Sequence, residues 1–180
     1  MGKHKKRCSS KYLLLGLLLL FIVNGCSTGQ EDGFFAEGDK QEQPSSEFVE
    51  LNGRQFELEL ALIDAERAEG LMWRESIADN GGMLFVYPDR EPFPAELVFW
   101  MKNCLVPIDV IFLSREGFVT AIYEMQPPLP GTPDDELARY SSREPAQFAI
   151  ELKGGMASEL NLAVGDRVEL RKDFLLQWAE

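Results

Sequence analysis

Three side chains with complementary chemistry fall within the stretch Phe99-Trp100-Met101-Lys102-Asn103-Cys104-Leu105-Val106-Pro107-Ile108-Asp109. An ammonium (Lys102), a carboxylate (Asp109) and a flat aromatic wall (Trp100) are the ingredients of a pocket for a small anionic or zwitterionic ligand. If the two apolar runs pair symmetrically about Leu105-Val106, Lys102 faces Asp109 and Trp100 faces Ile111. Opposite charges so placed across two strands lie within reach of each other. Asn103 at the corner and the guanidinium of Arg74 complete the candidate ligand-binding set. The same residues also support a structural reading. In that reading a partly buried ion pair fixes strand register, and Asn103 bonds the corner backbone.

Other chemistries have weaker carriers. Glu124 follows an apolar run and would act as a general acid if desolvated; a surface position at a strand end is the plainer reading. Asp134-Asp135-Glu136 offers calcium its preferred oxygen ligands but lacks a spaced ligand loop. Met83, Met101 and Met125 would suit copper(I) as thioethers, yet methionines on apolar strands pack as core. Gly81-Gly82 and Gly154-Gly155 lack the pattern that cradles phosphate. No metal, cofactor or catalytic residue is therefore assigned.

The N-terminus decides which residues remain. Lys3, Lys5, Lys6, Arg7 and Lys11 form a basic region ahead of the apolar run Leu13–Val23. That run is too short to cross a bilayer, which needs about 20 residues, and it fits a secretory signal. Val23-Asn24-Gly25-Cys26-Ser27 follows and resembles the bacterial lipobox, so residues 1–25 are expected to be cleaved and Cys26 lipidated. An ordinary signal peptide with a chance cysteine is the alternative. Two or three acyl chains on Cys26 would anchor the chain firmly to a lipid bilayer. By analogy with lipoprotein sorting, Ser27 rather than Asp leaves the periplasmic face of the outer membrane as the expected destination.

Cleavage takes five of the eighteen basic residues and leaves 13 against 30 acidic ones, a charge of −17. Such an acidic surface repels phosphate backbones, and no nucleic-acid partner is expected. The single histidine, His4, is lost with the signal. Ser-His and Cys-His catalysis and imidazole-based zinc sites go with it. Cys8 is also lost and Cys26 is acylated, so Cys104 has no partner for an intramolecular disulfide. It is read as a buried, inert thiol, because free cysteine packs as a small hydrophobe.

The elements that position these residues follow from pattern. Residues 26–46 are polar and Gly-, Gln- and acid-rich. They form a disordered tether spanning roughly 25 Å as a flexible coil. Residues 47–180 are expected to fold as a single domain. Asn52-Gly53 between alternating runs predicts a hairpin. Asp64 is expected to cap a short helix over 65–71, and Met83–Tyr87 reads as a buried strand stopped by Pro88. Strands follow at roughly 97–103, 108–114 and 118–125, with a hairpin turn at Arg115-Glu116-Gly117. A proline-rich loop runs over 126–135, with a short segment near Tyr140. A strand over 147–152, a short helix over 156–161, a closing strand over 167–171 and an apolar tail over 174–178 complete the chain. The fold class is mostly β, a small β-sandwich or partly closed β-barrel with one or two short helices.

Several stretches occur in an order that resembles the domain-of-unknown-function 192 (DUF192) family. They are Gly70-Leu71-Met72-Trp73-Arg74, Gly82-Met83-Leu84-Phe85-Val86-Tyr87-Pro88, Phe99-Trp100-Met101-Lys102-Asn103, Pro107-Ile108-Asp109, Glu124-Met125 and Val164-Gly165-Asp166-Arg167-Val168. The resemblance covers roughly residues 52–170. It implies a compact, mostly β domain, often exported, without an established activity. Many members carry two cysteines after the Glu-Met strand, where this chain has none, and the family usually has threonine where this chain has Cys104. The reading that follows is a lipid-anchored envelope domain that binds an unknown small ligand or serves as an accessory. The alternatives are a hydrolase or lyase using Lys102, Asp109 or Glu124, and a module that docks an envelope protein through the proline-rich loop.

Overall fold

The computed structural model describes residues 42–89 and 95–180. The signal, Cys26 and nearly all of the tether lie outside the described residues. Eight strands follow in chain order: β1 (Ser46–Leu51), β2 (Arg54–Ala61), β3 (Gly81–Val86), β4 (Glu96–Phe99), β5 (Ile108–Leu113), β6 (Val119–Met125), β7 (Tyr140–Pro145) and β8 (Phe148–Lys153). Three short helices accompany them: α1 (Asp64–Glu69), α2 (Met156–Glu159) and α3 (Lys172–Leu176). The architecture is mostly β and sandwich-like, with a six-stranded sheet in the order β1-β2-β3-β8-β5-β6 and a two-stranded sheet β4-β7. The described strands do not close into a barrel.

Local signals account for the first half. Asn52 and Gly53 take positive φ, at 45° and 82°, and close the β1–β2 hairpin. β2 alternates, with Phe56, Leu58 and Leu60 buried and the residues between them exposed. Its pairing with β3 is parallel, which requires the crossover that α1 supplies. The start of α1 differs from the expected Asp64 cap. Glu66 reaches back to accept the backbone N–H groups of Leu62 at 2.8 Å and Ile63 at 3.3 Å.

The large sheet has an apolar layer on each face. Phe148, Ile150 and Leu152 of β8 join Phe56, Leu58, Ile111 and the α2 residues Met156 and Ala157 on one side. Ala149 lies on the other, with Phe85, Val110, Phe112 and the small sheet's Leu97 and Phe99. The apolar tail is helical as α3 and seats Leu175 in the first layer. It is a third helix where one or two were expected. The stretch expected as a closing strand over 167–171 makes only one isolated bridge, Arg167 with Phe118.

The central corner is arranged otherwise than its symmetry predicts. β4 ends at Phe99 and pairs with β7. β5 pairs with β6 on one edge and β8 on the other, which places Asp109 opposite Glu124 and Leu152. With both edges of β5 taken, the residues before it have no strand to join. They cross between the sheets instead. Met101 O accepts the Cys104 N–H, and Asn103 turns the chain with φ of 55°.

Candidate functional site

The five candidate residues of the corner do not form one site. Lys102 is bound to Asp134 on the proline-rich loop at 2.5 Å, not to Asp109. Asp109 is 1% exposed and points into the sheet's other side. There its carboxylate accepts the N–H groups of Gly155 at 3.0 Å and Ala157 at 2.6 Å, fastening the start of α2 to β5. Burial raises its pKa, and those two donors oppose the rise. Arg74 holds Glu59 bidentately, with one bond of 2.8 Å, and that pairing lowers the Glu59 pKa. Asn103 accepts the Trp73 N–H at 2.8 Å and rests its amide on the Met72 sulfur. These four are engaged in the scaffold.

Of the five, Trp100 lines a cavity of about 400 Å³ between the two sheets and α1, while Asp109 lines a separate one of about 410 Å³ with Glu124 on the other face. The Arg139 guanidinium stacks 4.3 Å from its ring centroid and the Lys102 ammonium lies 5.3 Å away. Phe85 and Phe99, packed edge to face at 4.9 Å, form an aromatic wall with Tyr87 and Trp100. Leu71 and Met72 add apolar surface, and Asp64 and Glu69 bring carboxylates to the lining.

The buried carboxyl of this cavity is Glu151. β8 alternates, so Glu151 points to the face opposite Ile150 and Leu152, toward the small sheet. It is 5% exposed. The nearby Leu71 backbone N–H favours its ionised form, and Oε2 has no partner among the described residues. Burial pushes its carboxyl up to about 8, against the pull of the nearby Arg74 charge and the Leu71 N–H. A carboxyl so placed is mostly protonated at neutral pH, and it ionises readily when a cation or donor arrives. Cys104 lines the same cavity. Burial raises its thiol to about 12, with the Glu151 charge adding to the shift, so it is no nucleophile at neutral pH.

Sequence pattern missed Glu151 because an acid between Ile150 and Leu152 reads as the wet face of an alternating strand. The remaining candidates resolve simply. Glu124 is exposed and accepts a bond from Gln126 at 3.0 Å. Met83, Met101 and Met125 are buried in the second apolar layer. Among the described residues no group of three or more His, Cys, Asp or Glu could hold a metal ion.

The DUF192 model (Uncharacterized ACR) matches residues 47–170. No curated protein matches the chain. A crystal structure of a protein of unknown function from Novosphingobium aromaticivorans DSM 12444 superposes with a TM-score of 0.57 at 32% identity, covering 68% of this chain and 82% of that one. A candidate transcription regulator from Sinorhizobium meliloti 1021 gives a TM-score of 0.54 at 30% identity, covering 71% and 97%. With the family model spanning both sheets and the cavity between them, the chain belongs to the DUF192 family.

Proposed function

We propose that this is a lipid-anchored envelope protein whose domain binds a small ligand in the cavity around Glu151. The observation that carries the reading is Glu151 Oε2, a buried polar atom without a partner, facing about 400 Å³ of aromatic-walled space. An unpaired buried polar atom costs about 1–3 kcal/mol, and a ligand that satisfies it recovers that cost. Binding is favoured over catalysis because Glu151 bonds to no nucleophile or base, and such pairing marks covalent catalysis. The anchor rests on Val23-Asn24-Gly25-Cys26. No described helix is long and apolar enough to cross a membrane.

Two measurements test the two halves. Growth of the expressing bacterium on radiolabelled palmitate should label the full-length chain, and Cys26→Ser should abolish the label. Unlabelled wild-type protein would remove the anchor. For the cavity, a fragment screen by nuclear magnetic resonance on residues 27–180 should shift amides of Gly70, Leu71, Phe85 and Glu151. Hits confined to other surfaces would reject the cavity as the site.

A further inference from the structure

Given the cavity reading, we propose that the ligand is a small organic monocation, an ammonium carried on an apolar or aromatic body. Its N–H would bond Glu151 Oε2, and its body would lie against Phe85, Phe99 and Trp100. Four features of the cavity support this class.

The first is the sign of the unpartnered atom. Once ionised, Glu151 accepts only, and an ammonium both donates to it and neutralises it. The second is that Arg74 and Arg67, the cations on the Glu151 side of the cavity, are committed. Arg74 holds Glu59. Arg67 binds Asp64 and donates to the carbonyls of Leu62 at 2.6 Å and Val86 at 2.8 Å, and to that of Glu180. An anionic ligand would find Glu151, Glu69 and Asp64 in the lining, where the cation among the described residues is Arg67, already held by those bonds. The third is the wall. Aromatic faces carry negative electrostatic potential, and a desolvated ammonium is attracted to them. The Arg139 guanidinium already exploits one face of Trp100. The fourth is the long-range field. A net charge of −12 over the whole sequence, and more after loss of the basic leader, draws cations toward the domain.

Burial holds Glu151 largely protonated at pH 7, and a bound cation would hold it ionised. Binding then releases a proton from Glu151 Oε to solvent, and affinity rises about tenfold per pH unit until the carboxyl's own pKa, about 8, is passed. A carbonyl or carboxylate ligand would instead accept a bond from the protonated carboxyl, and its affinity would fall as pH rises.

Three probes of similar size and different charge test the proposal on residues 27–180: phenethylamine, phenethyl alcohol and 3-phenylpropionate. Titration calorimetry in two buffers of different ionisation heat reads the proton count. Amide shifts of Gly70, Leu71 and Glu151 confirm the site. The expected result is that phenethylamine binds in the cavity at least tenfold tighter than the other two at pH 8. It should release close to one proton at pH 7 and lose at least tenfold in affinity in Glu151→Gln. Tighter cavity binding by the alcohol or the carboxylate would overturn the cation proposal and leave the cavity reading standing. So would amine binding without proton release, or unchanged in Glu151→Gln. No cavity shift with any probe at 10 mM would overturn both.

Discussion

Gly70 packs directly over Glu151: a Cβ built at position 70 would stand 3.6 Å from Glu151 Oε2 and 3.3 Å from Phe85 Cζ. The backbone there has φ of 53° and ψ of −133°, a conformation that glycine adopts readily and L side chains rarely do. Gly70 therefore does two things at once, ending α1 and leaving the space in front of the buried carboxyl open. Gly70→Ala should lower the unfolding midpoint by about 3–4 °C, the effect of about 1 kcal/mol on a domain of this size. It should also weaken any ligand of the cavity, because the added methyl occupies the approach to Oε2. Thermal unfolding and a binding titration on the same sample check both. A variant with wild-type stability and wild-type affinity would show that position 70 is neither strained nor at the mouth.

Glu151 gives the domain a pH dependence of known sign. Its folded carboxyl titrates near 8 and the unfolded one near 4.5. Between those values the folded state binds more protons than the unfolded state, so stability falls as pH rises through the window and levels off above it. The drop is on the order of a few kcal/mol at most. Glu151→Gln keeps the shape and removes the titration. Urea unfolding from pH 5 to pH 9 should show the two proteins close together at pH 5 and the variant more stable at pH 9. Asp109, whose pKa is also raised by burial, is common to both proteins and cancels in the difference. Parallel stability curves would mean that Glu151 is not buried as described.

The Asn52-Gly53 hairpin, the β3 strand and the short α2 helix were legible because each depends on residues adjacent in the chain. The central corner was not. Its symmetry about Leu105-Val106 predicted a Lys102–Asp109 pair, but β5 finds its second neighbour in β8, some forty residues later, and no local pattern announces that pairing. β7, with Ser141, Ser142, Arg143 and Glu144 in its middle, carries almost no apolar signal, and it joins β4 through its backbone. β4 of that small sheet lines the Glu151 cavity together with Gly70 and Leu71, distant in sequence, so the burial of Glu151 was illegible for the same reason. Trp100 was found because it is a large aromatic in an apolar stretch, which needs no knowledge of the partner strand.

Asp109 is expected to behave as scaffold. Its two carboxylate oxygens each take one buried or half-buried N–H, from Gly155 and from Ala157. Asn at this position keeps one acceptor and sets an amide NH₂ against the other donor. Asp109→Asn should therefore lose about 1–3 kcal/mol in urea unfolding, and Asp109→Ala, which leaves both N–H groups without a partner, should lose more. Neither should change the affinity of a ligand held at Glu151 in the protein that remains folded, because the two carboxylates face opposite sides of the sheet. A stable Asp109→Asn variant with altered ligand affinity would return Asp109 to the site.

Glu47 and Arg171 join the two ends of the domain. The Glu47 side chain is 4% exposed, while the Arg171 side chain lies 60% exposed above it. The guanidinium grips both oxygens, Nε to Oε1 at 2.7 Å and Nη2 to Oε2, and it stacks on Phe174 of α3 at 4.2 Å. The pair thus ties the first strand to the last helix. Arg171→Ala leaves a buried carboxylate without its cation and also strips α3 of a packing contact. A loss of stability is expected at pH 7, moderated because Arg171 is itself solvated. Adding Glu47→Gln to that variant removes the stranded charge and should restore part of the loss, leaving the share that belongs to the Phe174 contact. Unfolding free energies of the two single variants and the double variant close this cycle. Strict additivity of the three would mean that the two side chains do not interact in solution.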